Sequence, residues 1–267
     1  MRSSIGRNIG RPIAGYARAF ARTLLCAIPV VSFLLPFTQA DAADDRPTVI
    51  ELYTSQGCNS CVSADIYLQQ LSKRDDVIAL TFPVTYWDYL GWKDTLAKPE
   101  YDARQRAYAV AASSADIYTP QIIIDGVHRE VGSQSEVIDE LIAFQTGDRK
   151  ASVAINLWPR NKTIAVNIAA GALPAGVQTA TIRLIQYDAR QLVTITKGEN
   201  AGKQLSYSNV VRTITPVGVW RGEAMGLILP VRDFYRAGYS GIAVLLQADD
   251  AGPILGAAKM DFSRLGD

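Results

Sequence analysis

Histidine occurs once and cysteine three times in 267 residues, so little is available to hold a metal. A structural zinc site takes four protein ligands, usually Cys and His. Neither sign of charge is in excess, with 27 Lys and Arg against 26 Asp and Glu. That balance denies the chain the basic patch on which nucleic-acid binding draws. No apolar run approaches the roughly 20 residues of a membrane-spanning helix. The run Leu24 to Phe37 has 14 residues and is interrupted by Pro29 and Pro36. Internal repeats and low-complexity tracts are also absent.

What the N-terminus does have is Arg2, Arg7, Arg11, Arg18 and Arg22 without an acid before Leu24, followed by the apolar run and Ala40-Asp41-Ala42. A basic segment, an apolar segment and an A-x-A site together predict a secretory signal peptide over 1–42, cleaved after Ala42. The exported chain would be periplasmic or secreted, with no stable membrane insertion. Cleavage removes Cys26 and leaves Cys58 and Cys61 as the only cysteines. It also takes five Arg and one Asp, leaving 22 basic and 25 acidic residues and a net charge of −3. The remainder is long enough for two domains of about 100–150 residues.

The stretch Val49 to Cys61, VIELYTSQGCNSC, carries the chemistry. Val49, Ile50, Leu52 and Tyr53 form a short apolar, β-prone run, Thr54 to Gly57 break it, and a helical pattern opens at Cys-x-x-Cys. The N–H groups and dipole at a helix start favour a thiolate, so Cys58 is expected to have a lowered pKa and to be the less covered, attacking cysteine. Cys61, one turn on, would then attack the mixed disulfide and release the substrate.

Downstream, Ala64, Tyr67, Leu68 and Leu71 share a helix face within 61–73, and Val77 to Val84 reads as a buried strand. Pro99 opens a second helix to Ala112. Gln121 to Asp125 is a third strand, turned by Gly126-Val127 into a returning arm, His128 to Val131. Ser133 and Glu136 suggest a capping box for a third helix with Val137, Ile138, Leu141, Ile142 and Phe144 on its apolar side. The order is β-α-β-α-β-β-α, with the thiols at the first βα junction and Pro120 just before the third strand.

This order and these positions resemble the thioredoxin fold. The resemblance implies a redox pair at Cys58 and Cys61, a cis-proline loop at Thr119-Pro120 that binds an extended substrate, and a buried acid on the first strand that moves protons for the second cysteine. Glu51 stands near that acid's place, one residue further from the first cysteine. More narrowly, ELYTSQGCNSC, YWDYLGWKD, YTPQ and ENAGK together resemble a bacterial family of secreted thioredoxin-like proteins of unassigned function. The chain departs from that pattern at Val62-Ser63, where Pro-Pro is usual, and at Pro83 and Thr85, where His and Asp are usual.

Between Val84 and Pro120 lies Tyr86-Trp87-Asp88-Tyr89-Leu90-Gly91-Trp92. Buried packing is the first expectation for such rings; an aromatic ledge for a client, led by Trp87, is the second. The polar stretch Thr146 to Lys150 ends the first domain, 43–147. Beyond it, alternating segments at 152–157, 163–168, 179–187, 192–196, 210–214, 225–229, 242–247 and 254–260 predict an antiparallel, sandwich-like all-β domain over 148–267. Gly198 to Gln204 lacks the spacing of a phosphate loop and reads as a surface turn.

The leading expectation is therefore an exported thiol–disulfide oxidoreductase. Cys58, Cys61 and Glu51 would be its catalytic groups, and Thr119, Pro120 and Trp87 its substrate contacts. Protein thiols or disulfides are the expected partners, with a membrane redox protein as a further candidate, and no cofactor or resident metal is needed. A second class is a copper carrier using Cys58 and Cys61; His128, carried away from the thiols by its strand, reads as a surface residue. A third is a non-enzymatic binding protein with a permanent bridge, although a loop so short gains little stability from closure.

Overall fold

The structure, a computed structural model, describes residues 46–147, 152–230, 238–249 and 251–262. The expected signal peptide, with Cys26, lies outside the described residues.

Strand β1 (Thr48–Thr54) is buried along its whole length because both of its faces are covered. Ile50 and Leu52 pack with Ala64 and Leu68 of helix α1 (Cys61–Leu71) on one face. Val49 and Tyr53, one residue out of phase, pack with Tyr101 and Tyr108 of helix α2 (Pro99–Ala111) on the other. Such near-continuous apolar runs mark central strands. Strand β2 (Val77–Pro83) pairs with β1 in parallel, Thr48 opposite Val77. Strand β3 (Gln121–Ile124) pairs with β1 antiparallel, Ile50 opposite Ile124, and turns into β4 (His128–Val131). Helix α3 (Ser135–Gly147) joins α1 over the first face through Ile138 and Ile142. It begins at Ser135, two residues past Ser133, so the expected Ser133–Glu136 capping box does not frame its first turn.

Four strands of the second half do not form a sheet of their own. Strands β7 (Ala180–Thr194), β8 (Gln204–Trp220), β10 (Gly241–Ala248) and β11 (Ile254–Asp261) continue the first sheet, in the order β11-β10-β7-β8-β2-β1-β3-β4. The junction is narrow. β8 meets β2 in parallel at Thr81 opposite Val210, reinforced by Thr81 Oγ1 donating to Ser208 O (2.6 Å) and Asn209 Nδ2 donating to Ala79 O (2.9 Å). Ile185, Val211 and Leu245 then share one core with Val49, Tyr53 and Phe82. The expected division after Gly147 is thus not a division between cores, and residues 42–267 form one unit.

Strands β5 (Ile155–Arg160), β6 (Thr163–Ile168) and β9 (Met225–Pro230) make a separate antiparallel sheet. Ile164, Val166 and Ile168 pack there against Ile182, Val244 and Leu246. Each such side chain contributes about 1.5–3 kcal/mol by leaving water. The architecture is mixed α/β, with one large mixed sheet and one small antiparallel sheet; the sandwich-like packing expected of the second half survives only as this local layer. Two of the expected strands, 179–187 and 192–196, fuse into the single β7, because the polar Asp188 to Gln191 between them continue the ladder with β8 instead of turning. The result is a long hairpin whose tip lies at residues 195–203.

Candidate functional site

Cys58 and Cys61 are joined in a disulfide, with Cα atoms 5.4 Å apart. The chain coils into α1 through Cys58 N–H to Ser55 O (3.1 Å) and Cys61 N–H to Cys58 O (3.3 Å). Asn59 and Ser60 are exposed, whereas both cysteines have 0% exposure. The expectation that Cys58 is the less covered thiol does not hold in this state. Its surroundings bury it as fully as Cys61.

The loop before Cys58 is held from one side by the segment after β2. Gln56 donates its backbone N–H to Asp94 Oδ2 (2.7 Å), and its side-chain oxygen accepts Trp92 Nε1–H (2.8 Å) and Thr95 N–H (3.2 Å). Trp87 packs against the core, and a Cβ placed on Gly57 would lie 3.4 Å from Trp87 Cβ. Tyr89, by contrast, is 80% exposed. The aromatic stretch is therefore mostly packing, with Trp87 and Trp92 bracing the thiol loop. Asp94 also accepts the N–H groups of Leu96 (2.8 Å) and Ala97 (3.1 Å). Burial pushes its carboxyl up to about 6 against the pull of those three N–H groups.

The Thr119–Pro120 bond is cis. Pro120 O accepts Gly132 N–H (2.9 Å), and a Cβ on Gly132 would come within 3.0 Å of Pro120 Cβ and 3.1 Å of Ala64 Cβ. Only glycine permits that approach, which sets the proline loop against the first turn of α1. Thr119 Oγ1 is buried there, with the Tyr86 hydroxyl as its neighbour.

Glu51 is not part of this cluster. Strand alternation sends it, with Val49 and Tyr53, to the face of β1 opposite α1. There it accepts Arg104 Nε (2.7 Å) and Nη2 (2.6 Å), Tyr108 OH (2.7 Å) and Tyr53 OH (3.0 Å). Arg104 also reaches Gln247 Oε1 of β10 (3.1 Å). Burial, with the Glu51 charge adding, keeps both tyrosines protonated well beyond their usual range. This network ties α2, β1 and β10 together.

Two groups that the sequence reading missed do belong to the site. The first is Asp65, one turn after Cys61 on the same buried face of α1. Neither of its carboxyl oxygens makes a well-formed hydrogen bond; the buried Thr54 hydroxyl is close enough to temper its charge, and Tyr207 OH is buried nearby. Burial raises its carboxyl well above the usual range, and the nearby Asp94 adds to the shift. The available signal was a carboxylate at i+4 from Cys61 amid Ala64, Leu68 and Leu71. The second is the hairpin tip. Asn200, 0% exposed, donates through Nδ2 to Gln56 O (2.9 Å) and Cys58 O (3.1 Å). Glu199 Oε2 accepts Asn59 N–H (3.3 Å), and Lys203 Nζ donates to Asn59 Oδ1 (2.7 Å) and Asn200 Oδ1 (2.8 Å). The expected surface turn is in fact clasped onto the thiol loop. Its ENAGK string was visible, but no local pattern says what a turn touches 142 residues away.

Among the described residues no three His, Cys, Asp or Glu side chains gather as metal ligands, and His128 sits on β4 with its ring 6.5 Å from that of Phe144. No helix among them is long and apolar enough to cross a membrane. The profile of a family described as protein of unknown function (DUF1223) matches residues 49–247. The crystal structure of a structural-genomics target from Agrobacterium tumefaciens is similar at 32% identity and a TM-score of 0.70, over 80% of this chain and 93% of that one. No curated protein matches.

Proposed function

This chain belongs to the DUF1223 family of proteins of unknown function, and within it we propose that the protein is an exported thiol–disulfide oxidoreductase with a thioredoxin-like site. The observation that carries the reading is the Cys58–Cys61 disulfide at the start of α1 with the cis Thr119–Pro120 loop against the same helix turn. The order β1-α1-β2-α2-β3-β4-α3 supports the fold-level likeness. Export rests on the signal pattern of 1–42.

The chemistry runs in two steps. A partner thiolate attacks Cys58 Sγ, the Cys58–Cys61 bond breaks, and Cys61 leaves with the electron pair as a thiolate. A second thiolate of the same partner then attacks the partner sulfur of the mixed disulfide, so the partner becomes a disulfide and Cys58 leaves reduced. Run backwards, Cys58 opens a client disulfide and Cys61 closes the bridge; the partner's potential sets the direction. Cys61 is buried, so its charge is costly without a proton. Asp65, kept protonated by burial on the same helix face, supplies one to the departing thiolate and takes it back from the attacking thiol.

One observation favours a second reading. Complete burial of both sulfurs suits a structural bridge in a binding protein. Equilibration in glutathione buffers decides between the two: two thiols should appear reversibly per chain while the far-UV circular dichroism stays native. A bridge that opens only as the protein unfolds would overturn the redox reading.

A further inference from the structure

An attacking sulfur must reach Cys58 Sγ, yet neither cysteine has any exposed surface. The Pro120 loop approaches the first turn of α1 from the β3 side of β1, and the hairpin tip holds the loop that carries Cys58 from the β2 and β8 side. These two neighbours are built differently. The Pro120 loop is continuous with β3, whose ladder fixes it. The tip is closed upon itself by Gly202 N–H to Ile195 O (2.8 Å), Ile195 N–H to Lys203 O (2.9 Å) and Lys203 N–H to Asn200 O (3.1 Å). Among the described residues no backbone–backbone hydrogen bond ties it to the thiol loop. Its side-chain hydrogen bonds to the loop are those of Glu199, Asn200 and Lys203, and Gly198 packs beside Trp92. Such a turn can lift as a unit while β7 and β8 stay paired.

Resting on the redox reading, we propose that residues 198–203 are the specificity element of the couple, with Asn200 as the latch: they withhold Cys58 from small free thiols and yield it to a thiol or disulfide carried on an extended polypeptide. Lifting the tip strips Gln56 O and Cys58 O of the amide donor they share. A polypeptide lying across the loop replaces it with its own N–H groups, as backbone-reading partners do. A small thiol brings no such donors, and waits for spontaneous opening. Lys203 supports the latch from outside by fixing Asn200 Oδ1, which orients the amide so that Nδ2 faces the two carbonyls.

The test is the rate of bridge reduction in the full chain by dithiothreitol and by a synthetic peptide dithiol, beside the equilibrium potential in glutathione. In the parent protein the peptide should react at least tenfold faster than dithiothreitol. Asn200→Ala should speed dithiothreitol by on the order of tenfold, the equivalent of losing one to two net hydrogen bonds. It should speed reoxidation by oxidised glutathione by the same factor, so that the potential stays put. Lys203→Ala, at an exposed position, should act in the same direction by roughly threefold. A role in stability alone would lower the unfolding midpoint and leave these rates alone. Unchanged rates in both variants, or a parent that takes dithiothreitol as fast as the peptide, overturn the proposal and leave the redox reading standing. A bridge that resists every reductant in parent and variants alike until unfolding sinks the redox reading itself.

Discussion

The two faces of β1 hold two carboxyls under opposite conditions. On the α2 face Glu51 accepts four hydrogen bonds, two from Arg104 and two from tyrosines. On the α1 face Asp65 has no well-formed hydrogen bond, only the neighbouring Thr54 hydroxyl, which offsets part of the effect of burial. Both are nearly inaccessible, at 1% and 5% exposure, so burial does not distinguish them. Partners do. A buried carboxylate with a full set of donors is a structural tie, because each lone pair has been given what water would have supplied. One without that set favours its neutral form and is left with a proton to exchange. The acid expected from the strand turns out to be the tie, and the acid without such donors stands one turn past Cys61 on the buried face of α1.

The largest effect should come from breaking the tie. Glu51→Gln leaves the Arg104 guanidinium buried without its counter-charge, which should cost about 3–5 kcal/mol in urea unfolding. Thiol exchange by the folded variant should match the parent. A slowed exchange at full stability would reverse the roles assigned to the two carboxyls.

Asp65→Asn keeps the shape and removes the proton. Exchange through Cys61 should slow by on the order of a hundredfold, the usual worth of a positioned acid–base group. The same variant tests stability against pH. The folded-state pKa of Asp65 is raised, so as pH rises from about 4 the unfolded chain ionises first and stability falls until the folded group ionises too. The variant should lack this slope and be the more stable partner at neutral pH. Chemical denaturation at a series of pH values would show it, and a variant that keeps the slope would remove Asp65 as its source.

The smallest effect belongs to Asp94, which combines both conditions: it is buried, yet has three N–H donors. Its carboxyl sits at about 6, so its share of stability is fully present at low pH and is lost as pH rises from about 4 through about 6. Asp94→Asn should flatten that window. It should also loosen Gln56, visible as faster amide exchange across Ser55 to Cys58. An unchanged pH profile would place the titration elsewhere.

Residues near one another in the chain were the legible ones. The strand, the turn and the two cysteines of Val49 to Cys61 were readable because alternation, turn chemistry and the i, i+3, i+4 helix pattern are local, and β1 and α1 appear where that pattern put them. The hairpin from β3 to β4 followed in the same way. The second half shows the limit. Its strands were recognisable one by one, yet alternation says that a strand is half-buried or buried and not which strand it lies beside. β8 therefore joined β2 unannounced, through one register pair and two side-chain hydrogen bonds.

By itself the sequence determined that two cysteines would meet at the head of a helix, that a proline would precede the third strand, and that a carboxylate would stand one turn beyond the second thiol. Tertiary structure alone decided which acid is tied by donors and what clasps the thiol loop. The partners Glu51 finds follow from the packing of α2 and β10 against β1, and the clasp on the Cys58 backbone follows from a hairpin docked from 142 residues away. Secondary structure is written in neighbours along the chain; hydrogen-bond partners and burial are set by whichever distant surfaces pack best.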